Sequence, residues 1–111
     1  MTRHSLKSNK MIQSLLSSGR RFSSRNLNLY LDRETLPRDQ YSVACLVSGK
    51  RGKAVERNRI KRWLREDFNF FQKRLKIPGL FAVKFNGNIN EVDHPQLKSE
   101  LEELFESINN D

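Results

Sequence analysis

Residues 50–65, running Lys50-Arg51-Gly52-Lys53-Ala54-Val55-Glu56-Arg57-Asn58-Arg59-Ile60-Lys61-Arg62-Trp63-Leu64-Arg65, hold eight Lys/Arg against one Glu. The same stretch opens a helical pattern that extends to Leu75. Ile60, Leu64, Phe68 and Phe71 recur at helical spacing with Trp63 at their edge, so a helix over Lys53–Leu75 carries one apolar stripe made for a core. Asn58, Lys61, Arg62 and Arg65 form an i, i+3, i+4, i+7 set turned away from that stripe, and Arg59 borders it on the other side. Arg57 falls on the stripe itself and must reach out past the first helical turn. A solvated helix ordinarily mixes both signs of charge to limit self-repulsion. Concentrating one sign this densely predicts a polyanionic partner.

At 111 residues the chain is expected to be one domain, 1–111, with a single modest core. Its net charge of +8 is unevenly placed: residues 1–76 hold 19 Lys/Arg and 6 Asp/Glu, and residues 77–111 hold 2 and 7. The first part is therefore read as the binding part and the last third as structural. This balance favours nucleic acid or an anionic membrane surface over a neutral partner. The lone Cys45 allows no internal disulfide and no zinc motif. No run of 18 apolar residues and no secretory h-region occurs, so a soluble, cytoplasmic protein is expected.

Ahead of the basic helix, Ser8–Ser17 reads as a short helix with Met11, Ile12, Leu15 and Leu16 on one side, closed by Gly19. Over Arg20–Asp32 the period changes to two. Leu27, Leu29 and Leu31 alternate with Asn26, Asn28 and Tyr30, as in a half-buried strand. Leu36-Pro37-Arg38-Asp39 marks a loop, and Tyr41–Ser48 a second strand with Val43, Cys45 and Val47 on one face. Gly49 and Gly52 punctuate a basic turn. Ile77-Pro78-Gly79 stops the long helix, Leu80–Phe85 is a third strand, and Asn86-Gly87-Asn88 is a turn. A final helix starts at Pro95 with Asp93 or His94 as its cap. It buries Leu97, Leu101, Leu104, Phe105 and Ile108 opposite Glu100, Glu103 and Glu106.

Smaller signals have plainer readings. Gly49-Lys50-Arg51-Gly52 matches the GxxG loop of KH modules, but a strand rather than a helix precedes it. Gly52-Lys53 lacks the spacing of a phosphate-binding P-loop. His4 and His94 have no evident acidic or Cys companion, and Cys45, Trp63, Phe68, Phe70 and Phe71 read as packing. Three uses of the basic helix remain open on residues alone: a ribonucleoprotein subunit, a ribosomal or DNA-binding module reading a groove, and an anionic-membrane or partner-protein surface. The last is disfavoured because the apolar stripe is needed for the core.

Ala54-Val55-Glu56-Arg57-Asn58-Arg59-Ile60-Lys61-Arg62 resembles the signature of the bacterial ribonuclease P protein subunit, an Arg-Asn-Arg triplet followed by Ile-Lys-Arg. Leu6-Lys7 and Lys10–Gly19 resemble that family's first helix, Arg21–Tyr30 its first strands, and Val47-Ser48-Gly49-Lys50 its approach to the basic helix. The resemblance implies an α+β fold of order αβββαβα, a two-layer sandwich with a central mixed sheet and a left-handed βαβ crossover. It implies an endoribonuclease whose catalytic RNA removes 5′ leaders from precursor tRNA, with Mg²⁺ held mainly by the RNA. The protein would be an accessory subunit, one per RNA, with no catalytic residue or metal ligand of its own. Arg57, Asn58, Arg59, Lys61, Arg62 and Arg65 match the RNA-facing helix, and Lys50, Arg51 and Lys53 extend it through the preceding turn. Ile12, Leu16, Tyr30 and Ser48 match the cleft for the precursor leader, where Tyr30 could stack on an unpaired base. Ile12 and Leu16 stand where the family often has Phe, and Gly49-Lys50 where it commonly has two consecutive Lys.

Overall fold

A computed structural model describes the backbone of residues 2–5, together with residues 9–33 and 40–110. The chain runs β1 (Thr2–Ser5), α1 (Asn9–Ser18), β2 (Arg20–Ser23), β3 (Leu27–Asp32), β4 (Gln40–Val47), α2 (Ala54–Leu75), β5 (Gly79–Phe85) and α3 (His94–Asn109). Short 3₁₀ turns at Gly49–Arg51 and Ile89–Glu91 precede α2 and α3. The order αβββαβα is thus present from α1 onward, with one further strand ahead of it. The expected loop at Leu36–Asp39, the start of the first helix at Ser8 and the family-like Leu6-Lys7 lie outside the described residues.

The strands form one sheet in the order β1-β4-β5-β3-β2. β1, β4 and β5 are parallel neighbours, whereas β3 runs antiparallel to both β5 and β2. α2 therefore carries the chain from β4 to its parallel neighbour β5, a crossover that lays the helix across the sheet. Where the alternation over Arg20–Asp32 suggested one strand, two occur. The polar run Ser24-Arg25-Asn26 turns the chain, Ser24 N–H donating to Leu27 O at 2.8 Å, and Arg20 then faces Leu31 across the hairpin.

Alternation along the strands divides the sheet into two faces. One face presents Leu27, Leu29 and Leu31, Tyr41, Val43 and Val47, and Phe81, Val83 and Phe85. The stripes of α2 (Ile60, Leu64, Phe68, Phe71) and α3 (Leu97, Leu101, Leu104, Phe105, Ile108) pack on it. Phe68 is the hub, 4.9 Å from Phe81 edge-on, 5.1 Å from Phe105 and 5.8 Å from Tyr41 between ring centroids. The other face is smaller: Leu15 of α1 packs on Ala44, Leu80 and Ala82, with Ile12, Leu16, Tyr30 and Leu46 around them.

The ends of α2 explain its length. Glu56, the single acid of residues 50–65, accepts the Lys53 N–H at 3.0 Å, so it caps the helix instead of neutralising its cationic face. At the other end Lys76 adopts the left-handed conformation (φ 51°) and donates its N–H to Gln72 O at 2.8 Å. Gln72, buried on the stripe, then holds the departing chain through Ile77 N–H to Oε1 (2.9 Å) and Nε2 to Ile77 O (2.7 Å). Gly79 follows at φ 133°, where a Cβ would meet the Asp32 carbonyl at 2.6 Å. α3 begins as expected: Asp93 is the cap, accepting from Gln96 N–H at 2.9 Å, with Pro95 in the first turn.

Two expectations about α3 are corrected. Glu100 does not share the solvent side with Glu103 and Glu106 but is 4% exposed. It accepts from Ser24 Oγ (2.6 Å), Asn26 N–H (2.6 Å), Asn26 Nδ2 (2.7 Å) and Gln96 Nε2 (2.9 Å), pinning the β2–β3 turn to the helix. His94 does have an acidic companion: its Nε2 lies 2.9–3.0 Å from both carboxylate oxygens of Asp67 on α2. Among the described residues, no helix is long and apolar enough to cross a membrane.

Candidate nucleic-acid interface

The outward side of α2 keeps its cations exposed. Asn58, Arg59, Arg62 and Arg65 are exposed and, with Val55, Glu66 and Asn69, line a shallow trough of about 730 Å³ along the helix. Among the described residues, no carboxylate forms an ion pair with Lys50, Arg51, Lys53, Arg57, Arg59, Lys61, Arg62 or Arg65. α3, which carries much of the acidic tail, packs against α2 from the core side and leaves this ridge open. The arrangement suits phosphates: guanidinium groups at one-turn spacing, each able to present a planar fork, with the Asn58 amide among them.

Arg57 behaves as its place on the stripe predicts. It is half-buried and folds back over the first turn, donating Nε–H to the Gly52 carbonyl at 3.2 Å, which directs it toward the loop at Gly49. Lys61 is half-buried on the flank of the ridge. Lys50, Arg51 and Lys53 are exposed in the 3₁₀ turn and the helix start, and Ser48 caps that turn, its Oγ accepting from Lys50 N–H at 3.3 Å.

A second surface lies on the α1 side of the sheet. Cross-strand register aligns Arg21, Tyr30, Ala82 and Ala44 in one row, and Ser23, Asn28, Lys84 and Leu46 in the next. α1 covers the first row from above, bringing Ile12, Leu16 and Tyr30 together around one apolar cluster. Ser48 has no recorded contact with these three; it stands at the exit of β4, beside the basic turn. The second row holds a lysine, an amide and a hydroxyl, with Ser23 Oγ donating to Asn28 Oδ1 at 2.8 Å. The result is a groove with an apolar floor, a half-buried tyrosine and a polar, cationic end.

Loops join the groove's end to the ridge. Arg25, Asn26, Lys50, Arg51, Asn86, Gly87, Asn88 and Glu91 line a polar hollow of about 510 Å³. Its walls are fixed: Asn86 N–H donates to Asn26 O at 2.7 Å, and Arg51 reaches Gly87 O at 3.4 Å. At position 87 a Cβ would meet the Asn26 side chain, which would have to shift for any residue larger than glycine. Sequence reading missed Arg21, Arg25, Asn28, Lys84 and Asn86 as neighbours of the site. Only Asn28 and Lys84 had a local signal, their alternation with buried residues.

On the ridge's flank four side chains stack. The Arg59 guanidinium carbon lies 5.2 Å from the Trp63 ring centroid, and the His94 ring is parallel to Trp63 within 3° at 5.1 Å. Asp67, 4% exposed, holds His94 from below. Burial raises the pKa of the Asp67 carboxyl, and the hydrogen bond and charge of His94 hold part of that rise back. Phe70, expected with the core, is 44% exposed and carries Lys98 at 4.4 Å and Arg74 at 5.7 Å from its ring centroid.

Comparison with known proteins gives one consistent result. The family model Ribonuclease P matches residues 1–109. The ribonuclease P protein component of Bacillus cereus is 29% identical over 104 residues, covering 93% of this chain and 89% of the relative. The RNase P protein of Staphylococcus aureus superposes with a TM-score of 0.83 at 24% identity, covering 94% of each chain. That of Thermotoga maritima gives 0.79 at 21%, covering 92% and 94%. The chain belongs to the ribonuclease P family, as a protein component of that tRNA-processing endoribonuclease.

Proposed function

We propose that this chain is the accessory subunit of a ribonuclease P ribonucleoprotein, binding the catalytic RNA with the α2 ridge and the 5′ leader of precursor tRNA in the α1-side groove. The observation that carries the reading is the row Arg59, Arg62 and Arg65, exposed and without acidic partners among the described residues, on a helix whose opposite face is committed to the core. Two RNAs that must approach closely repel each other through their phosphates. A rigid cationic ridge lowers that repulsion and releases condensed counterions on contact. The groove adds what a single-stranded leader offers: Tyr30 for stacking on an unpaired base, Ile12 and Leu16 for apolar contact, and Lys84, Arg21 and Ser48 for the backbone.

Endonucleolytic cleavage, giving the mature tRNA 5′ end, is assigned to the RNA and its Mg²⁺. In this reading the chain itself carries no metal ligand and no catalytic residue. Its work is to position the substrate and neutralise charge, in a 1:1 complex in the cytoplasm. The test is reconstitution with the ribonuclease P RNA of the same organism and a precursor tRNA. Arg57→Ala combined with Arg59→Ala should impair leader removal at low Mg²⁺ while the protein's circular dichroism stays unchanged. Undiminished cleavage would remove these residues from the interface.

A further inference from the structure

Arg59, Trp63 and Asp67 stand at i, i+4 and i+8 on α2, and His94 comes to them from the first turn of α3. One turn before the indole carries the guanidinium; one turn after carries the carboxylate that fixes the imidazole. Asp67 is buried, and His94 is its recorded hydrogen-bond partner, through both carboxylate oxygens. A buried carboxylate facing an apolar core is costly unless it is paired. Here the pairing fixes the angle of a ring that lies parallel to Trp63. Glu66 on α2 and Lys98 on α3 also act on the Asp67 carboxylate.

We propose that Asp67, His94 and Trp63 are positioning residues for Arg59, a braced aromatic platform that holds the guanidinium in the orientation used on an RNA phosphate. The proposal rests on the ridge being the RNA-binding surface. A free arginine has many rotamers, and freezing one on binding lowers affinity. A guanidinium already lying on an indole loses less, while its N–H edges stay free for a bidentate phosphate contact. Among the described residues Arg62 and Arg65 lie over no aromatic ring, so the device singles out Arg59.

The test is a double-mutant cycle on binding to the ribonuclease P RNA, with melting curves for every variant. Trp63→Leu keeps apolar bulk but removes the π-face; it should weaken binding roughly two- to fivefold, the range of an exposed cation–π contact. Trp63→Phe should retain most of the affinity, and His94→Ala should weaken binding in the same direction as Trp63→Leu. In an Arg59→Ala background, Trp63→Leu should have almost no further effect, since the group it serves is gone. Trp63 is the single tryptophan of the chain, so its emission also reports the stack directly. Arg59→Ala should shift that emission in the free protein. Equal effects of Trp63→Leu with and without Arg59, or an emission blind to Arg59, would overturn the proposal. If Trp63→Leu fails to fold, His94→Ala carries the same cycle. If Arg59→Ala itself leaves RNA affinity unchanged, the ridge reading has failed rather than the platform.

Discussion

Replacing Glu100 by alanine should cost about 3 kcal/mol of folding stability and loosen the edge of the α1-side groove. Its carboxylate accepts three bonds from the β2–β3 turn, from Ser24 Oγ, Asn26 N–H and Asn26 Nδ2, and a fourth from Gln96 on its own helix. Bonds to a buried charged group are worth roughly 1.5–3 kcal/mol each. The half-buried turn donors regain water when the acceptor is removed, so about 1 kcal/mol for each of the three turn bonds is the fitting figure, and exposed Gln96 adds little. Burial on its own would raise the Glu100 pKa, but the hydrogen bonds from Ser24, Asn26 and Gln96 outweigh it and hold the carboxyl below its ordinary value of 4.5. A folded-state pKa below the unfolded one contributes stability that is fully present above pH 4.5 and lost as the pH falls through the folded value. Urea unfolding followed by circular dichroism, for wild type, Glu100→Ala and Glu100→Gln at a series of pH values, measures both effects. Glu100→Gln keeps one acceptor oxygen and should lie between the other two at neutral pH, with its gap to wild type closing in acid. A loss under about 1 kcal/mol for Glu100→Ala, or a wild-type-to-Gln gap independent of pH, would refute the reasoning.

Tyr30→Ala should weaken binding of precursor tRNA more than of mature tRNA in the reconstituted holoenzyme; equal losses would argue against a leader contact. Lys84→Ala should lower the salt dependence of precursor binding by about 0.7 in the log–log slope, the contribution of one single-strand phosphate. Phe68→Ala, which opens the space between Phe81, Phe105 and Tyr41, should destabilise the protein by about 3–5 kcal/mol in chemical denaturation. A loss below about 2 kcal/mol would mean the core collapses around the hole.

The parts of this molecule written locally were legible in its sequence. The stripe of α2, the alternation of β3 and β4, the stop at Ile77–Gly79 and the start of α3 at Asp93 each follow from periods or caps within a few residues. What escaped depended on partners far along the chain. Glu100 looks like one more glutamate on a polar helix face until the β2–β3 turn, 74–76 residues earlier, arrives to donate to it. Asp67 and His94 each look unremarkable, and only the packing of α3 on α2 brings them together across 27 positions. β1 escaped for another reason: four polar and charged residues have no alternation to detect, and the strand is defined by its pairing with β4. The ridge was legible because a helix converts spacing directly into a face. The groove was less so, because Tyr30, Lys84 and Ile12 share a face only through sheet register and the docking of α1.

The account depends most on the α2 ridge meeting RNA through its exposed arginines. The direct measurement is the salt dependence of binding to the ribonuclease P RNA, comparing wild type with the triple variant Arg59→Ala, Arg62→Ala, Arg65→Ala. Losing three phosphate contacts should flatten the log–log slope by about 2 to 3 and weaken binding most at low salt, with melting behaviour unchanged. Parallel slopes for the two proteins would place the RNA on some other surface and contradict the account.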